Sequence, residues 1–282
     1  PGYEDIPKTV MTGYTVMAYE NAPNSTMVEA QAIDTPVEGG VQTSYNASNF
    51  TVQTNTLMVG DIAALQYLYG ANTTSSSEED TYSWGANEAF FETIWDSGGT
   101  DTIDCSNQSY SCEIDLTPGS HSSIALRTTQ QEVLTALGYE DYSDWLPDLV
   151  GSTIMGDLYN GRNNLAIAEN VLIENLIGGA GDDTIIGNSA DNRLDGGAGN
   201  DTVIYSGNYA DYSFNELELG SGWSIARVTG GADGVTDEGT DTLLGIESLQ
   251  FSDQTVAVDQ LVASTGSTDS TDSISGTVSY WG

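Results

Sequence analysis

Two acidic, glycine-rich turns stand 18 residues apart, GGAGDD at 178–183 and GGAGND at 196–201. Half-way between them, GNSADN at 187–192 keeps the outline of the same six letters. Each copy is followed by an apolar residue at one fixed place: Ile185, Leu194 and Val203, nine apart. Glycines permit the positive φ angles that aim several carbonyls inward. Asp183 and Asp201 add carboxylates to those carbonyls. Such a set suits a hard cation that takes six or more oxygens, and calcium is the expected one.

The nine-residue period also says what must position these groups. A unit of six turn residues and three strand residues, repeated, winds into a coil of parallel strands, and two units make one circuit. Turns 18 residues apart then stack on the same edge, GGAGDD against GGAGND. Ile185, Leu194 and Val203 point inward and fill the coil.

Other elements are less regular. Residues 56–69, TLMVGDIAALQYLY, put Leu57, Ile62, Leu65 and Tyr69 on one face and stop at Gly70, which predicts an amphipathic helix. TTSSSEED at 73–80 reads as a polar loop, and 81–126 as short strands between Gly, Ser and Asp turns. TQQEVLTALG at 129–138 opens with a capping box, Thr129 and Glu132, and closes on Gly138, a short helix. The acidic-aromatic YEDYSDWLPDL after it is placed as a loop. Strand-and-turn texture resumes to about 262, a low-complexity linker covers 265–274, and ISGTVSYWG looks like the first strand of something further.

Composition excludes several functions. Forty-two Asp and Glu face five Lys and Arg, a formal charge of −37. No basic stripe exists to meet phosphate, so nucleic acid is not a partner, and anionic membranes are repelled. Self-repulsion on this scale disfavours a compact state unless cations are taken up. Apolar residues still make up 38%, enough for a core in a chain of 282. No apolar run is long enough to span a bilayer. Cys105 and Cys112, six residues apart in CSNQSYSC, allow a small disulfide loop or two free thiols; their spacing is poor for zinc.

The stretch ENLIGGAGDDTIIGNSADNRLDGGAGNDTV resembles the β-roll of secreted RTX calcium-binding repeat proteins. Upstream, IWDSGGTDTID (94–104) and MVGDIAALQYLYGAN (58–72) resemble the serralysin-type metzincin metalloproteases, and TGYTVMAYE (12–20) resembles their Met-turn. The resemblance runs with gaps from about residue 12 to 204. It implies a mainly β chain: a parallel β-roll with calcium-binding nonapeptide turns, preceded by the helical C-terminal remnant of a metzincin catalytic domain. The implied partition is 1–72 for that remnant and 73–206 for the roll, with an insertion near 122–165. A β-rich extension at 207–262 and a linker with a further strand at 263–282 complete it.

Position by position, the resemblance makes Met17 the methionine beneath the zinc ligands and Tyr19 the tyrosine that stabilises the transition state at the zinc. Asp96, Gly98, Gly99 and Asp101 of DSGGTD match a calcium loop. So do Leu172, by its carbonyl, and Glu174, then Gly179, Gly181 and Asp183, and Gly197, Gly199 and Asp201. Where the family reads R-x-G-x-T, this chain has Ser76, Glu78 and Asp80, and the glycine lost to Glu78 puts that loop in question.

The family's catalysis needs HExxHxxGxxH, three zinc ligands and a glutamate base. This chain has one histidine, His121, expected at the surface in PGSHSSI. Two readings follow. In one, the chain is the C-terminal portion of a secreted, calcium-stabilised zinc metalloendopeptidase, inactive alone, whose zinc helix lies outside it. Its partners would be calcium, protein substrates, and the catalytic part on the same or a separate chain. In the other, it is a non-catalytic, calcium-dependent structural or surface-binding protein. Either would sit outside the cell or on its surface, in a Gram-negative bacterium, after type I-like secretion.

Overall fold

Strands of three residues with an apolar side chain at the centre recur along the repeat region, at Ile103, Ile114, Leu176, Ile185, Leu194 and Val203. The computed structural model describes residues 24–37, 40–139, 146–217, 222–227 and 238–261. Met17, Tyr19 and ISGTVSYWG lie outside the described residues.

The described residues begin with a long antiparallel hairpin, β1 (Thr26–Val37) and β2 (Gly40–Thr51). They continue with α1 (Val59–Tyr69), β3 (Thr81–Ser83), β4 (Glu92–Ile94), β5 (Thr102–Asp104), β6 (Glu113–Asp115) and β7 (His121–Ser122). Three short helices come next: α2 (Gln130–Ala136), α3 (Leu146–Val150) and α4 (Ser152–Gly156). Then run β8 (Leu165–Ile167), β9 (Asn175–Ile177), β10 (Thr184–Ile186), β11 (Arg193–Asp195) and β12 (Thr202–Ile204). The extension adds β13 (Tyr212–Glu216), β14 (Trp223–Arg227), β15 (Thr240–Leu244), β16 (Ser248–Gln250) and β17 (Thr255–Ala257).

From β9 to β12 successive strands alternate between two sheets, which is the coil the period predicts. β10 pairs in parallel with β12, Ile185 opposite Val203, and β9 pairs in parallel with β11. One sheet stacks Ile103, Leu176, Leu194 and Leu243; the other stacks Ile114, Ile185, Val203 and Leu249. Each of these is at most 2% exposed. Burying such a side chain is worth about 1.5–3 kcal/mol, so the two columns hold the coil shut from inside. Both sheets turn antiparallel at the C-terminal end, where β14 joins β15 and β17 joins β16. Tyr205, Tyr209, Tyr212, Phe214 and Phe251 stack over that end.

Three expectations change. The helix at 56–69 forms as α1, but only Ile62 of its apolar face is buried. Leu65 and Tyr69, 43% and 82% exposed, line an open groove of about 560 Å³ with Leu57, Ile94 and Trp95. The stretch read as a loop after 138 contains α3, because Pro147 sits in the first helical turn, where its missing N–H costs nothing, and Leu146 is fully buried. His121 lies on β7, half-buried opposite Ala166, and not in an exposed turn.

The capping box forms as expected. The Glu132 N–H donates to Thr129 Oγ1 (3.2 Å) and the Thr129 N–H donates to Glu132 Oε2 (3.0 Å). That second bond is the main reason the Glu132 carboxyl lies below its usual range. α2 and α3 pack with the hairpin base through Val28, Val133, Leu134, Leu146 and Leu158.

Candidate calcium-binding site

Stacked turns create a ladder along each edge of the roll. On one edge the N–H of Cys112 donates to Asp183 Oδ1 (2.6 Å), and the N–H of Asp183 donates to Asp201 Oδ1 (2.8 Å). On the other edge the N–H of Asp80 donates to Asp101 Oδ1 (2.9 Å), and the N–H of Asp101 donates to Glu174 Oε2 (2.8 Å). Each rung therefore grips the carboxylate of a later one. The backbones lie so close that a Cβ on Gly197 or Gly199 would fall 2.4 Å from the carbonyl oxygen of Gly179 or Gly181. Gly197 also holds φ at +88°, where a side chain would be strained.

These turns leave oxygen atoms without protons to accept. Asp101 Oδ2 and Asp201 Oδ2 are buried with no hydrogen-bond partner. The carboxylates of Asp80, Asp96 and Asp101 lie within 4.8 Å of one another. Like charges so close, in a partly dry site, repel strongly unless a cation lies among them. Burial raises the carboxyls of Asp101 and Asp183 above their usual range and lifts Asp201 to about 6. The donors are all oxygens, the set a hard divalent cation takes, so calcium fits these residues.

Asp96 is held in place by two donors, Tyr82 Oη (2.6 Å) and the Gly98 N–H (2.8 Å). Opposite it, the segment of Ser76, Glu78 and Asp80 that leads into β3 stacks despite its altered sequence. A Cβ on Gly99 would fall 2.1 Å from the Glu78 carbonyl oxygen, so that carbonyl faces the DSGGTD turn. The Ser76 carbonyl accepts the Ser97 N–H (2.9 Å). Leu172 is 41% exposed and Ile173, beside it, is buried. Gly179 donates its N–H to Asp183 Oδ2 (2.8 Å), while a Cβ on Gly181 would strike the Tyr110–Ser111 backbone.

The worn copy GNSADN keeps this geometry with neutral groups. Asn192 Oδ1 accepts the Asn188 N–H (2.9 Å), as Asp183 accepts that of Gly179. Its amide Nδ2 donates to the carbonyls of Ile173 (3.3 Å) and Glu174 (3.2 Å). Cys112 likewise stands on the ladder where other rungs carry an acid. Cys105 and Cys112, whose spacing allows a disulfide loop or two free thiols, are unbonded here, both fully buried and side by side. A hydrogen bond to Cys112, then burial, pushes the Cys105 thiol well above its usual range.

Comparison with known proteins agrees with this geometry. The RTX calcium-binding nonapeptide repeat family model matches residues 172–203, the segment that carries β9 to β12. The serralysin of Proteus mirabilis is 35% identical over 142 residues, covering 46% of this chain and 22% of that protein. Serralysin C of Dickeya chrysanthemi is 37% identical over 141 residues, with the same coverage. Metallopeptidase AprA of Pseudomonas marginalis is 30% identical over 187 residues, 62% of this chain and 29% of its own length. The matched part thus spans between a fifth and a third of these curated relatives. The chain carries an RTX calcium-binding repeat region in a mainly β fold and is similar to the serralysins.

Proposed function

We propose that this chain is the calcium-stabilised C-terminal part of a secreted, serralysin-like zinc metalloendopeptidase. The observation that carries the calcium half is the pair of buried, unpartnered carboxylate oxygens on Asp101 and Asp201, each set against stacked glycine turns. The similarity to serralysins and to a metallopeptidase supports the protease half. Asp96, Gly98, Gly99, Asp101, Leu172, Glu174, Gly179, Gly181, Asp183, Gly197, Gly199 and Asp201 would hold the ions, with Ser76, Glu78 and Asp80 facing the first. Met17 and Tyr19 keep their proposed places beneath and beside a zinc ion whose histidines come from outside these 282 residues.

In the same reading the protein works outside a Gram-negative cell. None of the described helices is long and apolar enough to cross a membrane. The division at 72, 206 and 262 belongs to this proposal, as does a bond between Cys105 and Cys112 after export, which their adjacency supports.

The second reading, a calcium-dependent structural or surface-binding protein without catalysis, is favoured by one observation: a single histidine in the chain. Casein hydrolysis separates the two. The 282-residue chain is expected to cleave nothing, and joining it to a segment bearing HExxHxxGxxH is expected to produce cleavage that a zinc chelator abolishes. A joined protein that folds, binds zinc and still leaves casein intact would favour the second reading.

A further inference from the structure

The extension beyond the repeats rebuilds an arrangement found at the opposite end of the roll. Asp101 makes three backbone-anchored bonds. Its Oδ1 accepts the Asp80 N–H (2.9 Å), its N–H donates to Glu174 Oε2 (2.8 Å), and its carbonyl accepts the Asn175 N–H (2.9 Å). Asp201 repeats all three. Its Oδ1 accepts the Asp183 N–H (2.8 Å), its N–H donates to Glu247 Oε2 (2.8 Å), and its carbonyl accepts the Ser248 N–H (3.0 Å).

Sequence and strand pairing carry the same parallel. Ile173-Glu174-Asn175-Leu176 is echoed by Ile246-Glu247-Ser248-Leu249. Asn175 lies opposite Thr102 and Ser248 opposite Thr202, both in parallel pairs that begin one residue past the aspartate. Among the described residues, Asp101 and Asp201 are the two carboxylates that keep a buried, unpartnered oxygen. Asp201 is 0% exposed, so that oxygen is shut off from bulk solvent. A Cβ built on Gly196 would fall 2.3 Å from the Gly245 carbonyl oxygen and 2.5 Å from Asp201 Oδ2, so these two oxygens converge on one spot.

We propose that Asp201 and Glu247, with the Gly245 carbonyl, form a calcium site of their own, in which a residue 46 positions beyond Asp201 completes the last repeat. The inference rests on the calcium reading above and extends it past residue 203, where the repeat match ends. Every donor in it is an oxygen, and two are carboxylates, which selects a hard divalent cation over a soft one. The ion ties the returning strand β16 to β12.

Calcium counted by equilibrium dialysis on the full chain tests this. Glu247→Gln keeps an acceptor for the Asp201 N–H and removes the charge; it is expected to bind one ion fewer per chain than wild type. Glu174→Gln should also lose one, and the double variant two. A Glu247→Gln chain that folds and binds the wild-type number overturns the site. Wild type that binds no calcium at all would instead overturn the general calcium reading, and this site with it. Should the variant fail to fold, anomalous diffraction from a calcium-soaked wild-type crystal decides. A peak between Asp201 and Glu247 supports the site, and its absence beside peaks at other turns refutes it.

Discussion

The backbone N–H of Asp183 lies 2.8 Å from Oδ1 of Asp201, its counterpart one circuit later. One oxygen of Asp201 is thus spoken for by the protein, and the other is left bare in a dry place. A carboxylate so held is positioned for a cation and is unfavourable without one.

Removing calcium is therefore expected to loosen the roll, and pH sets the sign of the effect. In the metal-free chain burial lifts Asp201 from 3.8 to about 6. The folded state then holds a proton the unfolded state has released. That stability is complete below 3.8 and is lost as pH rises through about 6. Calcium needs the carboxylate, so its contribution runs the other way, weakening below pH 6 by up to about tenfold per unit for one site. Thermal melts by circular dichroism should show the chelated protein more stable at pH 4.5 than at 7.5, and the calcium-loaded protein the reverse. Parallel curves with and without chelator would end this account.

Gly197→Ala should cost about 2 kcal/mol or more, because φ of +88° strains the new residue and its Cβ meets the Gly179 carbonyl oxygen at 2.4 Å. Gly40→Ala, at the start of β2 with nothing within 4 Å of the new atom, should move stability by less than about 0.5 kcal/mol. Urea unfolding in saturating calcium measures both. Equal effects would mean that the stacking of turns is not what requires glycine.

Thr129→Ala should lower stability by about 1 kcal/mol through loss of the cap on α2. Thr129→Ser should restore most of it. The unfolding midpoint is the readout, and an alanine variant as stable as wild type would show that packing of Val133 and Leu134 alone holds the helix.

Protein recovered from the culture medium, unfolded without reductant, is expected to offer no titratable thiol, since a disulfide donor outside the cell would join Cys105 to Cys112. The bond should add at most about 2–3 kcal/mol, because the loop it closes is short. Finding two thiols per chain would assign the pair to packing alone.

The roll was legible because its signal is local. Nine-residue spacing fixes which residues turn and which point inward, and Ile185, Leu194 and Val203 all proved fully buried. Thr129 and Glu132 were legible for the same reason, being three residues apart. Glu247 was missed, although Ile-Glu-Ser-Leu repeats the pattern around Glu174, because its partner is 46 residues away and outside the nine-residue register. The β1–β2 hairpin was missed because β2 is largely Thr, Ser, Asn and Gln and exposed along most of its length, so no apolar alternation marks it. Leu57, Leu65 and Tyr69 misled in the opposite direction: periodicity reports an apolar face, not what covers it.

Five backbone-to-carboxylate bonds of the ladder point the same way along the chain: Asp80 to Asp101, Asp101 to Glu174, Cys112 to Asp183, Asp183 to Asp201, Asp201 to Glu247. In each of these five the accepting carboxylate is made after its donor. A polypeptide emerging amino end first therefore always carries one open rung, and the newest turn waits for acid that has not yet arrived. Assembly has an arrow, and Glu247 is where one rail of it comes to rest.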